Sequence, residues 1–357
     1  MTDSSPRWPP VHRTRRGFLK TVAAAGSAVV LRGWFTQVFS DLPRAVSASP
    51  VPLGATPASS TVALIKTADH REGVLRALRL VPVPIVRDLS VVIKPNFNSS
   101  HPFPGSTHNE TLRALLEVCR GGGAREITIA DRSGMGDTTR VIREKGVDAM
   151  ARDLGVRVIA LETLPPSEWA DRTLPGWHWR RGVRFPLLFE RTGVIITTCC
   201  LKTHRFGGQF TLSLKNSVGM VARTAPDGYD YMRELHGSVL QRILIAELNT
   251  LYRPALVLLD GIEAFVDGGP ETGTVARPGV VLAGTDRVAI DAVGVALLRM
   301  HGVAGPVANG PIFEQEQIKR AVQLGLGVAS PAGIDLVTDS ADGQAVIRAV
   351  RAEFARV

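Results

Sequence analysis

The sequence predicts an α/β protein built on a mostly parallel sheet flanked by helices, and three observations carry that prediction. Short β-branched apolar runs alternate with segments of helical period. The runs are apolar at consecutive positions, which marks strands covered on both faces. Polar or glycine-rich residues follow the runs, as at the carboxyl edge of a parallel sheet. Such elements form either one large domain or two lobes around a cleft.

In chain order, "TVALIKT" (61–67) reads as a strand and "REGVLRALRLV" as a helix. "SVVIKPN" (90–96) is a strand stopped by proline, and "NETLRALLEVCRGGG" is a helix closed by glycines. "EITIAD" (126–131), "VRVIAL" (156–161), "GVIITTCC" (193–200), "ALVLLD" (255–260) and "VVLAG" (280–284) continue the strand series. Helical periodicity covers His236 to Tyr252, Asp286 to Met300, Phe313 to Leu324 and Gln344 to Phe354.

The start of the chain is different in kind. "TRRGFLK" (Thr14 to Lys20) sets paired arginines before the apolar run "TVAAAGSAVVL", and "VSASP" (Val46 to Pro50) offers small residues for a cut after Ala48. This pattern predicts a twin-arginine signal peptide over 1–48, a Pro/Ala/Ser-rich linker over 49–60 and an α/β domain over 61–357. The apolar run stops at Arg32, short of the roughly 20 residues that span a bilayer, so no stable membrane span is expected after cleavage. The expected partner is the twin-arginine translocase, and the expected location is the periplasm or another extracytoplasmic space.

The chain carries 42 Lys and Arg against 33 Asp and Glu, a net charge of +9. Residues 1–48 hold seven of the basic and two of the acidic residues, so about +4 remains on the processed chain. That charge is mild and evenly spread, without a basic tract interleaved with aromatics, which argues against nucleic acid as a partner. Cys119, Cys199 and Cys200 show no CxxC spacing. No iron–sulfur cluster or structural zinc is expected, and the thiols read as core fillers.

Four predicted strand ends are polar: "KPN" (94–96), "ADRSG" (130–134), "LKTH" (201–204) and "LDGIE" (259–263). Lys202, His204, Lys215 and Asn216 lie in one strand-exit and helix-entry segment, where Gly207 and Gly208 permit close approach of a ligand. They form either an anion or cofactor cradle, with His204 exchanging protons, or a solvated turn. Lys94 and Asn96 can hold a carboxylate or phosphate, or simply belong to an extended exit fixed by Pro95. Asp131 can orient a base, bind a metal or cap the helix near Thr138. His236 is either a structural histidine or a ligand, and Asp260 and Asp291 are caps or buried partners. "GGPETG" (268–273) is too loose for a phosphate loop, and no Walker, nucleophile-elbow or dinucleotide motif is present.

Taken together, "VVIKPNF", "LKTHRFGGQFTLSLKNSVGM", "ELHG", "LDGIEAFVDGGPETG" and "VLAGTDRVAIDAVGVALL" resemble the family catalogued as domain of unknown function 362. The resemblance spans about residues 61–327. Many members carry a ferredoxin-like cysteine insert that this chain lacks. A more distant likeness is to nickel-pincer lactate racemases, in the order His204, "FGGQF", Lys215, "SVGM" and His236. That likeness implies His204 as an acid/base, Lys215 as a covalent cofactor tether and His236 as a metal ligand. It departs at Asp131, Arg132 and Ser133, where the racemases place another catalytic histidine.

The resulting expectation is an exported, cofactor- or metal-dependent enzyme, an isomerase or a related proton-transfer catalyst, acting on a small anionic carboxylate. His204 and Asp131 are the catalytic candidates, with Lys94, Asn96 and Lys202 holding substrate. Lys215, Asn216, Gly207 and Gly208 are the cofactor-binding candidates, and His236 the metal ligand. The alternative is a non-catalytic small-ligand-binding or accessory protein of the periplasm.

Overall fold

The structure, a computed structural model, describes residues 57–356. The predicted signal segment and most of the predicted linker lie outside the described residues. The chain opens with β1 (Ser60–Lys66), α1 (His70–Ala77), β2 (Ser90–Lys94), α2 (Asn109–Gly121) and β3 (Glu126–Asp131). Next come α3 (Thr138–Glu144), α4 (Val147–Leu154), β4 (Arg157–Ala160), β5 (Trp169–Arg172), β6 (Val183–Pro186) and α5 (Leu187–Arg191). The middle holds β7 (Val194–His204), β8 (Gln209–Thr211), α6 (Ser213–Asn216), α7 (Tyr231–Gly237) and α8 (Gln241–Leu248). It ends with β9 (Leu256–Gly268), β10 (Gly273–Ala276), β11 (Val280–Gly284), α9 (Arg287–Met300), α10 (Glu316–Gln323), β12 (Ile334–Val337) and α11 (Ala341–Phe354).

Ten strands form one sheet in the order β12-β1-β11-β9-β7-β2-β3-β4, with β10 paired to β9 and β8 paired to β7. The run β9-β7-β2-β3-β4 is parallel throughout, as the buried apolar runs predict. Every position of β7 is buried, in keeping with its place in the middle of the sheet. The strand β11 instead runs antiparallel to both β9 and β1. The links from β9 through β10 to β11 are only a few residues long, whereas a parallel return needs a crossover of a dozen or more.

Helices cover the sheet, and two large apolar clusters form among the described residues. One gathers Leu201, Leu212, Leu259 and Leu282 with the helix α9, which is buried along nearly its whole length. The other gathers Val92, Ala130, Phe185 and Ile195 under Leu244 and Leu248 of α8. Cys119, Cys199 and Cys200 are buried free thiols within this interior. Burial pushes Cys119 up to about 12 and Cys200 up to about 11, as befits inert core side chains. Among the described residues no helix is long and apolar enough to cross a membrane.

Several expected elements differ in extent, among them β9, expected to end at Asp260 and running to Gly268. The helix expected from His236 to Tyr252 is broken into α7 and α8. Gly237 is a poor helix former, and the Ser238 hydroxyl accepts a hydrogen bond from Leu240 N at 3.0 Å, a local bond that competes with the helical ladder. The strand expected to end at Cys200 continues to His204, because β8 folds back on it and pairs Lys202 with Thr211 and His204 with Gln209. Lys202 and His204 are therefore fixed in a hairpin rather than in an open turn.

Candidate functional site

The carboxyl ends of β2, β3 and β7, the hairpin strand β8 and the segment 215–236 enclose a cavity of about 240 Å³. Of the residues singled out from the sequence, Lys94, Asn96, Asp131, His204, Lys215, Asn216 and His236 all line it. Arg132 of the polar strand end "ADRSG" and Gly219 of "SVGM" line it too, and residues not singled out from the sequence also contribute, chiefly Asn98, Thr211 and Arg223.

Two of the lysines expected to hold an anion are occupied by the protein itself. Lys94 Nζ lies 2.7 Å from Asp131 Oδ1, and it also donates to Pro95 O at 2.6 Å and Asn216 Oδ1 at 2.9 Å. Those three acceptors use all three ammonium protons. Lys202 is buried away from the cavity wall and donates to the carbonyls of Gly105 at 2.6 Å and Pro270 at 2.9 Å. Desolvation lowers its ammonium to about 8.

Asp131 caps no helix; Asp137 caps α3 instead. The Asp131 carboxylate accepts from Phe97 N and Arg132 N, each at 2.7 Å, besides pairing with Lys94. These three donors hold the Asp131 carboxylate in place as the counter-ion of Lys94. Burial raises its carboxyl and lowers the Lys94 ammonium, and mutual attraction opposes both shifts. Gly219 permits this packing: a Cβ there would stand 2.5 Å from Asp131 Oδ1 and 2.8 Å from Lys94 Nζ.

Lys215 is different. Its side chain is 8% exposed and its amine has no hydrogen-bond or ion-pair partner among the described residues. Desolvation, followed by the charges of Lys202 and Arg132, lowers it to about 7. The segment carrying it is held firmly, because Asp291 accepts from Ser213 N at 2.7 Å and Leu214 N at 3.1 Å. Asn216 donates to Thr198 O at 3.1 Å, tying the same turn to β7.

His204 lies beside Lys215 at the end of β7. The turn between β7 and β8 has Gly207 at φ +78, a conformation glycine adopts without cost. A Cβ on the next residue, Gly208, would stand 2.7 Å from Lys215 Cε and 2.9 Å from His204 Nδ1. The second glycine is therefore what leaves space over both side chains. Burial, then the charges of Lys215, His236, Lys202 and Arg205, push the imidazole far below its ordinary range, so it is neutral near pH 7.

His236 closes the rim at the end of α7. Its Nδ1 donates to Met232 O at 2.7 Å, which leaves Nε2 as the free ring nitrogen. Among the described residues no three His, Cys, Asp or Glu side chains gather in a way that would hold a metal ion. A metal at His236 would therefore take most of its ligands from a bound molecule.

Four polar atoms of cavity-lining residues have no partner: Asn96 Oδ1, Asn98 Nδ2, His204 Nδ1 and Thr211 Oγ1. The charges around them are mostly positive, with Lys94, Arg132, Lys215 and Arg223 against the single carboxylate of Asp131. Arg132 keeps its charge, lowered to about 10 by burial, and donates to the carbonyls of Val221 and Val218, both at 2.7 Å. Arg223 is exposed at the mouth, with one long contact of 3.4 Å to Gly134 O. A cavity with free donors, excess positive charge and a neutral imidazole suits a small anion and can move a proton on it.

A family model described as domain of unknown function, DUF362, matches residues 91–296. That is more than half of the chain, and the chain belongs to this family. No curated protein and no solved structure matches it.

Proposed function

We propose that the protein is an enzyme that binds a small carboxylate-bearing anion in the cavity and moves a proton on it through His204. The observation carrying this reading is the group of four unpartnered polar atoms on the wall of a cavity with excess positive charge. Buried polar groups are nearly always hydrogen-bonded, and a ligand supplies the missing partners here. Arg223 takes the anion-holding role expected of Lys94 and Lys202, because a guanidinium at the mouth offers a planar fork to a carboxylate. Asn96 and Asn98 add one acceptor and one donor. The volume of about 240 Å³ suits a small metabolite rather than a drug-sized ligand.

The distant racemase likeness adds an organic or metal-bearing cofactor. The residues present fit an organic group bonded to Lys215, whose amine is unpartnered and whose surroundings Gly208 keeps open. His236 would offer one imidazole to a metal on such a group. When bound, that group would supply an electron sink beside the substrate. The twin-arginine pattern at the chain start supports export of the folded protein, so the cofactor would be installed before export.

The test uses protein purified from its native host, incubated in heavy water with a panel of small 2-hydroxy and 2-amino carboxylic acids. Exchange at the carbon beside the carboxylate is followed by proton NMR, and binding by calorimetry. His204→Gln abolishes exchange while binding persists. Exchange in the variant equal to wild type removes His204 from the chemistry. Binding without exchange in the wild type makes the protein a binder rather than an enzyme.

A further inference from the structure

Resting on the carboxylate-binding reading above, we propose that Lys215 is a carbonyl-capturing amine, whose Nζ condenses with the keto group of a small 2-oxo carboxylate held in the cavity. The comparison that leads there is internal to the site. Three buried lysines stand at or near the carboxyl edge of the sheet, and two have acceptors within the protein, three for Lys94 and two for Lys202. Lys215 is also buried, though at 8% exposure less completely than Lys94 or Lys202, and it lines the cavity without an acceptor for its amine among the described residues. A lysine kept for structure would have a partner, because an isolated buried ammonium is costly.

The neighbours favour the neutral amine, which is the nucleophilic form. Desolvation and the nearby charges of Lys202 and Arg132 bring Lys215 to about 7, so a large share is unprotonated at neutral pH. Both groups needed for condensation are adjacent. His204 Nδ1 is unpartnered and shares with Lys215 Cε the space that Gly208 leaves open. The Thr211 hydroxyl is unpartnered on the same wall.

The step balances without an oxidant or reductant. The Nζ lone pair forms a bond to the keto carbon, the carbonyl π pair moves to oxygen, and that oxygen takes one of the two nitrogen protons, giving a neutral carbinolamine with one proton left on nitrogen. His204 carries the nitrogen's proton to the departing hydroxyl, Thr211 supports that hydroxyl, and water leaves as the C=N bond forms. The substrate carboxylate stays with Arg223 and the free Nδ2 donor of Asn98. Once protonated, the imine withdraws electrons from the adjacent carbon, and the bound carboxylate offsets part of the positive charge that depresses the His204 imidazole, so His204 can then take a proton there.

Pyruvate with sodium borohydride is the test, read by intact mass and by peptide mapping. The expected result is a reduced pyruvate adduct on the Lys215 peptide, lost in Lys215→Met and lost when borohydride is added without pyruvate. Oxalate, which has carboxylates but no ketone, should bind by calorimetry and protect Lys215 from the adduct. Oxalate or pyruvate binding with no adduct overturns the capture step and leaves the anion site standing. Failure of both acids to bind overturns the two together. A non-reducible mass already present on Lys215 in the isolated protein shows a permanent tether and overturns capture. The melting curve of Lys215→Met confirms that a lost adduct does not reflect an unfolded variant.

Discussion

Replacing Lys215 by methionine should make the protein more stable, by an amount that depends on pH. The native structure lowers this amine from 10.5 to about 7 by desolvation and by the charges of Lys202 and Arg132. Between those two values the unfolded chain binds more protons at this position than the folded one, so stability rises with pH across the window. The cost of the buried amine is fully present below about 7 and gone above 10.5. At about 1.36 kcal/mol per unit the shift comes to roughly 5 kcal/mol, and local relaxation reduces it toward half that value. Methionine fills similar volume without a charge. Urea unfolding of variant and wild type at about pH 6 and about pH 10 isolates the amine, because the difference cancels groups common to both proteins. Asp291 is such a group; burial raises its carboxyl to about 7 and would otherwise distort the profile. The variant should gain roughly 2–5 kcal/mol at the lower pH and little at the higher one. A variant no more stable than wild type at about pH 6, or a gap independent of pH, would show that Lys215 is neither desolvated nor unpartnered.

Removing one member of the Lys94–Asp131 pair should do the opposite. Asp131→Asn leaves the Lys94 ammonium buried without its counter-charge and should cost about 3–5 kcal/mol in urea unfolding at neutral pH; a loss below about 1 kcal/mol contradicts a charged pair. Arg223→Gln should leave the melting temperature unchanged and weaken oxalate binding by about tenfold in calorimetry, equivalent to about 1.4 kcal/mol. Unchanged affinity would place the carboxylate elsewhere in the cavity.

The sequence carried the sheet and most of the site wall for one physical reason. Parallel strands buried on both faces are apolar throughout, so the first polar residue after each run marks the carboxyl edge. Lys94, Asn96, Asp131 and His204 were legible that way, and all four line the cavity. What stayed hidden is where side-chain protons go. Lys94, Lys202 and Lys215 look alike in the sequence, yet carbonyl groups contributed by Gly105 and Pro270 take one, and Asp131 takes another. Arg223 follows no spacing rule, since it reaches the cavity through the packing of the segment after α6. The direction of β11 was hidden too, because an apolar run reads the same in either orientation.

The contrast among the three lysines also explains why the site rests on so short a helix. The helix α6 has only four residues, too few to hold its own geometry in water. Its stability comes from outside: Asp291 on α9 takes its first two amide protons, Asn249 donates to Leu214 O at 2.9 Å, and Asn216 ties it to β7 and Lys94. Backbone and side-chain groups immediately around Lys215 are thus satisfied by named partners, while its own amine is left without one. Loose packing would leave unmet groups scattered through the segment. An unmet amine on a braced turn, with the unpartnered His204 Nδ1 and Thr211 hydroxyl on the same cavity wall, is instead the arrangement expected when the missing partner is a ligand.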